Sequence, residues 1–162
     1  MKEVILIRHG KSSWDYRDVS DRDRPLSNRG IKDAGSVSNY LRERIEVPEL
    51  VYSSAANRAL HTAMIFMRGL NVDPKKVMIS ETLYSFSDQP IIRFIKNLSE
   101  DYDRVMIFGH NPAFTSISNF LGSKPIDNLP TSGVVQMKFE VPRWEQLNKG
   151  LTEIVVFPKL LQ

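Results

Sequence analysis

The chain has 162 residues, of which 41% are hydrophobic and 25% charged, a composition typical of one globular domain with a sizeable core. Its formal charge of +3 is small, and the 22 basic and 19 acidic residues are interspersed, so charge gives no argument for a nucleic-acid partner. The sequence lacks cysteine, which excludes disulfides, thiolate metal sites and a cysteine nucleophile.

The first ten residues, MKEVILIRHG, contain an apolar run that is too short for a signal sequence or a membrane span. No other segment reaches the length needed to cross a membrane. The simplest prediction is a cytoplasmic protein with no membrane partner, and we expect it to act as a monomer.

Short apolar strands alternate with helices through most of the chain. The predicted strands are residues 4–7, 50–53, 77–79, 105–108, 134–141 and 152–157. The predicted helices are residues 28–44, 55–68, 91–98 and 113–121. This alternation predicts a single α/β domain over residues 1–162, a three-layer sandwich in which helices cover both faces of a mostly parallel central sheet. The last two strands are expected to be antiparallel neighbours.

Two segments near the start allow more detailed predictions. Ser27 is placed to cap the first helix, whose buried face should carry four apolar residues at helical spacing. These residues are Ile31, Ala34, Val37 and Leu41. The preceding stretch, residues 11–24, is rich in Asp, Ser and Arg and predicts an irregular, exposed segment.

Polar residues follow several predicted strand ends. They are Arg8-His9-Gly10, Arg58 early in the second helix, Glu81, and Gly109-His110-Asn111. Open α/β sheets bind ligands outside the carboxyl ends of their strands, so these residues predict one site. Arginines beside the histidines disfavour a metal ion and favour phosphate, whose oxygens match the planar guanidinium donors. We therefore predict a phosphate site that needs no metal and no cofactor.

Several short motifs stand in a fixed order along the chain. They are LIRHGKS at residues 6–12, DRPLSNRG at 23–30, SSAANR at 53–58 followed by TA at 62–63, and GHNP at 109–112. The ordered set resembles the histidine phosphatase superfamily, the phosphoglycerate mutase-like enzymes. In its short length and in the residues of its first two motifs, the chain most resembles the SixA-type phosphohistidine phosphatases. Phosphoglycerate mutases carry insertions for which this chain has no room.

The resemblance implies a role for each matching residue. His9 matches the nucleophile, which would form a phosphohistidine that water then hydrolyses. Arg8 and Arg58 match the arginines that hold the phosphoryl oxygens. His110, in the last motif, matches the second of the two histidines that the family shares and would hydrogen-bond the transferred group. Two further phosphate donors are expected, Ser12 and the backbone of Asn111. Thr62 is expected to pack in the core.

Glu81 stands where one branch of the family keeps its proton donor, and Asp88 is the alternative. A carboxylic acid there would protonate an alkoxide leaving group, which departs poorly without a proton. Phosphohistidine has a weaker P–N bond and demands less of such an acid. The proton donor is therefore the least defined part of the predicted site.

Three functions remain open at this stage. The first is a phosphatase that acts on phosphohistidine of a signalling protein, because a short chain leaves an open cleft. The second is a phosphatase or mutase of a small phosphorylated metabolite, served by basic residues of the first loop: Lys11, Arg17, Arg22 and Arg24. The third is a non-catalytic phosphate-binding module, which the intact His9 and His110 disfavour.

Overall fold

The computed structural model describes all residues, 1–162, and contains six strands and four α-helices. The strands are β1 (Lys2–Arg8), β2 (Leu50–Ser54), β3 (Val77–Ser80), β4 (Arg104–Gly109), β5 (Val134–Phe139) and β6 (Leu151–Val156). The helices are α1 (Asn28–Leu41), α2 (Asn57–Gly69), α3 (Asp88–Lys96) and α4 (Ala113–Leu121).

The strands form one sheet in the order β3-β2-β4-β1-β5-β6. The pairs among β1 to β4 are parallel, while β5 pairs antiparallel with both β1 and β6. The predicted mostly parallel α/β sheet and the antiparallel pairing of the last two strands are both confirmed.

Helices cover both faces of this sheet. Successive side chains of a strand point to opposite faces, and in the central strands both sets are apolar. In β1, Val4 and Leu6 pack in the core beneath α3 and α4, whereas Ile5 and Ile7 pack in the core beneath α1 and α2. All four side chains are fully buried. The continuous apolar run at the start of the chain is thus a central strand that is covered on both sides.

Two helix boundaries and one predicted buried residue need correction. Helix α1 ends at Leu41 rather than Arg44, and Ile31 is 42% exposed, so the apolar face is narrower than the spacing indicated. Ser27 does cap this helix, since its hydroxyl accepts a hydrogen bond from the Gly30 amide at 3.1 Å. Helix α3 begins at Asp88, before the predicted start, because Pro90 is tolerated in a first helical turn.

The first loop is more ordered than its composition suggested. It contains a 3₁₀ turn at Asp21–Asp23 and a bridge between Ser12 and Leu26. Arg24 is buried, and its guanidinium stacks at 3.7 Å on the ring of Trp14. Residues 14–23 are exposed as predicted, but the turn, the bridge and the buried Arg24 make the segment less irregular than its composition indicated.

No helix of the structure is both long and apolar enough to cross a membrane.

Candidate active site

Two neighbouring parallel strands bring the two motif histidines together. Arg8, the last residue of β1, is in register with Gly109, the last residue of β4. His9 and His110 follow directly, and the His9 amide donates to the Gly109 carbonyl at 3.0 Å. Their ring centroids lie 5.2 Å apart, and both rings are buried. The sheet therefore fixes the spacing of the pair through its backbone hydrogen bonds.

The contacts of His9 define which ring nitrogen carries the proton. Nδ1 lies 2.7 Å from the carbonyl oxygen of Gly10, which can only accept, so the hydrogen sits on Nδ1. The lone pair then lies on Nε2, which faces the Nε–H of Arg58 at 3.4 Å. Burial, assisted by the positive charges of Arg58, Arg8 and Arg24, lowers the pKa of His9 to about 4. His9 is therefore a neutral imidazole with an available Nε2 lone pair.

A hydrogen bond with Ser54 fixes the orientation of the His110 ring. Its Nε2 lies 2.8 Å from the hydroxyl of Ser54, which already accepts a hydrogen bond from the Ala56 amide. The Ser54 hydroxyl can donate to Nε2 or accept from it, since a hydroxyl carries one hydrogen and two lone pairs. The other ring nitrogen, Nδ1, is buried and has no partner. Burial and the neighbouring His9 lower the pKa of His110 to about 3, so this ring is neutral as well.

The motif arginines supply further donors. Arg58, near the start of α2, is only 2% exposed. Arg8 donates from Nη1 to the Leu129 carbonyl at 2.9 Å, while its buried Nε has no partner. Thr62 connects the two motifs, since its hydroxyl accepts from the Gly10 amide at 2.8 Å and donates to the Arg58 carbonyl at 2.7 Å. Thr62 thus positions the site as well as packing in it.

Gly10 allows the first motif to lie this close to its neighbours. A Cβ atom at this position would lie 3.1 Å from the Gly30 carbonyl oxygen and 3.2 Å from the Ser132 hydroxyl. Any larger residue would push the loop after β1 away from α1. The orientation of His9, which depends on the adjoining Gly10 carbonyl, would move with it.

Two predicted binding residues contact other protein groups. The Ser12 hydroxyl accepts a hydrogen bond from Nη1 of Arg24, so it positions that guanidinium. The Asn111 side chain donates to the Leu129 carbonyl at 2.8 Å and accepts from the Thr115 amide at 3.1 Å, which ties α4 to the loop before β5. These side-chain hydrogen bonds are structural, and phosphate binding by the backbone of Asn111 stays a prediction.

The two candidate proton donors are also engaged elsewhere. Glu81 is exposed and accepts two hydrogen bonds from Arg22, at 2.6 and 2.9 Å. The hydrogen bonds from Arg22 lower the pKa of this carboxyl, which favours the ionised form. Asp88, at the start of α3, accepts from the Ser116 hydroxyl at 2.5 Å. Neither carboxyl makes a hydrogen bond to His9.

The structure adds residues that the sequence did not single out. Asp21 lies against Arg58: its backbone carbonyl accepts from Nη1 at 2.7 Å and its carboxylate accepts from Nη2 at 3.1 Å. The same carboxylate accepts from Arg24 at 3.1 Å and from the hydroxyl of Tyr84. The Tyr84 ring in turn lies 5.2 Å from the ring of His110. In the sequence, the Asp-Arg-Pro-Leu motif, which contains Arg24, was the feature that could have pointed to this segment.

The first loop also borders a surface cavity of about 310 Å³. It is lined by Trp14, Tyr16, Arg17, Val19, Asp21 and Arg24. Asp21 and Arg24 link this cavity to the histidine pair through Arg58. The buried groups thus form a compact cluster, with an unpaired Nε on Arg8 and an unpaired Nδ1 on His110, beside an open surface depression.

Comparison with known proteins finds similar sequences and similar folds. An uncharacterized protein of Mycobacterium leprae is 28% identical over 163 residues, covering 93% of this chain and 98% of the relative. The structure of the protein histidine phosphatase SixA complexed with tungstate superimposes with a TM-score of 0.84 at 22% identity, covering 99% of both chains. A mycobacterial glucosyl-3-phosphoglycerate phosphatase superimposes with a TM-score of 0.68 at 13% identity, covering 95% of this chain and 98% of that one.

The structural matches show a shared fold, and the sequence match defines the family. Residues 4–84, half of the chain, match the sequence model of the histidine phosphatase superfamily (branch 1). This segment includes the first three of the four motifs, with His9 and Arg58. The chain therefore belongs to the histidine phosphatase superfamily, and its fold is that of SixA.

Proposed function

We propose that the protein is a phosphatase that transfers a phosphoryl group to Nε2 of His9 and then to water. The observation that carries this proposal is the orientation of His9, whose Nδ1–H is held by the Gly10 carbonyl while Nε2 faces Arg58. A neutral ring with its lone pair directed into a cluster of cationic donors has the properties of a nucleophile for phosphorus.

The first step transfers the phosphoryl group from substrate to enzyme. The Nε2 lone pair of His9 forms a bond to phosphorus while the bond from phosphorus to the leaving group breaks, and its electron pair stays with the leaving group. The non-bridging oxygens are held by Arg58, by the unpaired Nε of Arg8 and, in the tautomer that carries its hydrogen on Nδ1, by His110, and these donors stabilise charge in the transition state.

The second step regenerates the enzyme. A water oxygen bonds to phosphorus, the P–N bond breaks, and its electron pair returns to Nε2 of His9. The surplus proton leaves with the phosphate or passes to solvent. Because the Gly10 carbonyl holds the hydrogen on Nδ1 throughout, His9 returns as the same neutral tautomer. No metal ion or cofactor takes part in either step.

We propose phosphohistidine of a signalling protein as the substrate. Protonation of its second ring nitrogen lets imidazole depart in neutral form, so no acid is needed at the nitrogen that is released. This suits a site in which Glu81 is exposed and paired with Arg22. An alkyl phosphate would need a donor for its alkoxide, which neither Glu81 nor Asp88 provides in its present position.

The surroundings of the site also favour a protein substrate. Trp14, Tyr16 and Phe86 are large apolar side chains that are 76%, 59% and 51% exposed. Trp14 reaches the site through its stacking on Arg24, and the Phe86 ring lies 5.3 Å from His110. Exposed aromatic groups beside a site are typical of surfaces that bind another macromolecule. The SixA structure named above is that of a protein histidine phosphatase.

A small phosphorylated metabolite is the second candidate. The cavity of about 310 Å³ beside the site carries Arg17 and Arg24, which would bind a further anionic group of such a molecule. A phosphatase of glucosyl-3-phosphoglycerate shares the fold. This candidate needs a proton donor that the described contacts do not supply, which is why it ranks second.

Turnover of a panel of substrates separates the two. We expect cleavage of a phosphohistidine-carrying protein domain to exceed that of sugar and glycerol phosphates by at least about tenfold in kcat/KM, equivalent to about 1.4 kcal/mol. His61→Ala, on the same helix as Arg58, is the matched control and should keep its activity. Preference for a single small phosphoester would favour the metabolite candidate, and inactivity on every phosphorylated compound would contradict the proposed function.

A further inference from the structure

The Asp21 carboxylate contacts the guanidinium of Arg58, whose Nε–H faces the proposed nucleophile. The Nε–H and one Nη2–H of an arginine point from the same edge of the group, the edge that binds oxyanions side-on. In Arg58, Nε faces Nε2 of His9 at 3.4 Å, and Nη2 donates to the Asp21 carboxylate at 3.1 Å. A phosphoryl group on Nε2 would present its oxygens to this same edge.

The carboxylate is held by three side-chain donors. One oxygen accepts from Arg58 and from the Tyr84 hydroxyl, and the other accepts from Arg24 at 3.1 Å. These hydrogen bonds, the one from Tyr84 first, hold the pKa of Asp21 well below its usual range, so the group is an anion. A phosphoryl group would use the same kind of charge-assisted hydrogen bonds.

Asp21 is also free to leave this position. Its side chain is 50% exposed and stands on the short 3₁₀ turn Asp21–Asp23 at the surface. The backbone carbonyl of Asp21 keeps its own hydrogen bond to Arg58 at 2.7 Å, so the carboxylate can rotate away while the turn stays attached.

We propose that Asp21 is an internal anion that takes the phosphoryl position on Arg58 in the unliganded protein, is displaced by the phosphoryl group, and returns to expel inorganic phosphate. The proposal rests on the anion site of the proposed function. Asp21 is a positioning residue here: it keeps Arg58 oriented between turnovers and lowers the affinity for product. Removing its charge therefore strengthens phosphate binding, whereas removing a merely structural contact would weaken it.

The test is calorimetric titration with inorganic phosphate, which measures binding without turnover. Asp21→Asn should bind phosphate about tenfold more tightly than the wild type, a change of about 1.4 kcal/mol. Asp23→Asn is the control for charge alone, because Asp23 lies in the same turn and its carboxylate contacts only the Ser20 hydroxyl. We expect it to change affinity less than twofold.

A second variant and a second measurement cover the case in which Asp21→Asn does not fold. Tyr84→Phe removes one donor to the carboxylate and should tighten phosphate binding two- to threefold. In a structure with bound vanadate, the Asp21 carboxylate should have left Nη2 of Arg58.

The outcomes are separable. Unchanged or weaker phosphate binding in Asp21→Asn or in Tyr84→Phe would overturn the inference, as would equal tightening in Asp21→Asn and Asp23→Asn. A vanadate complex in which the carboxylate still contacts Nη2 would also overturn it. If the wild type and all variants fail to bind phosphate, the anion site itself is wrong, and the proposed function fails together with the inference.

Discussion

The low pKa of His9 predicts a specific loss of stability in mild acid. Burial, assisted by Arg58, lowers this pKa to about 4 in the folded protein, whereas the ordinary value is 6.5. The unfolded chain therefore binds the proton more readily than the folded one. The free energy of unfolding should fall as the pH drops from about 6.5 toward about 4, with no further loss from this group below that range.

The size of the effect follows from the difference between the two pKa values. Each pH unit below 6.5 costs about 1.4 kcal/mol while the folded ring stays neutral. Near pH 5 the cost from His9 alone is about 2 kcal/mol relative to neutral pH. His9→Asn removes the titrating ring and keeps a polar side chain. It should therefore lose about 2 kcal/mol less than the wild type over the same interval.

Urea unfolding of both proteins near pH 7 and near pH 5, followed by tryptophan fluorescence, measures this difference. Each protein is its own reference, so a change in stability at neutral pH caused by the substitution itself drops out. Equal losses in the wild type and in His9→Asn would refute the reasoning, because they would mean that His9 is not held in its neutral form by the fold.

Three further predictions concern activity. Arg58→Lys keeps the positive charge but loses the Nε–H donor that faces His9, so kcat should fall roughly 10²- to 10³-fold. Activity near that of the wild type would contradict this prediction. Glu81→Gln breaks the exposed ion pair with Arg22 and should change the rate of phosphohistidine cleavage less than about twofold. A rate loss of about 10²-fold that is confined to alkyl phosphates would identify Glu81 as their proton donor. Prolonged treatment with a chelator should leave turnover unchanged, and a strict need for an added divalent ion would show that the site had been misinterpreted.

The sheet could be predicted from the sequence because its strands are short apolar runs that end in polar motifs. Residues 4–7 and 105–108 each form a fully buried strand core, and their shared carboxyl edge brings His9 beside His110. That step needs only the rule that parallel strands end at the same edge. The narrower face of α1 was not predictable in this way, since Ile31 fits the helical spacing but is 42% exposed.

The details around the histidines depend on contacts between distant parts of the chain. Asp21 and Arg58 are 37 positions apart, and Asp21 and Tyr84 are 63 apart, so no local pattern indicates that they meet. For the same reason the sequence suggested Ser12 as a phosphate donor, whereas the structure pairs its hydroxyl with Arg24. The position of a side chain on a loop is decided by its tertiary partners, which periodicity and motifs do not specify.

The central claim, that His9 carries the phosphoryl group during turnover, can be measured directly. The wild type is mixed with a phosphorylated substrate, quenched in alkali within the first turnovers and analysed by peptide mass spectrometry. The account predicts an acid-labile phosphate on the peptide that contains His9, absent from His9→Asn treated in the same way. Turnover of the same substrate without any phosphate on His9, or with full activity in His9→Asn, would contradict it.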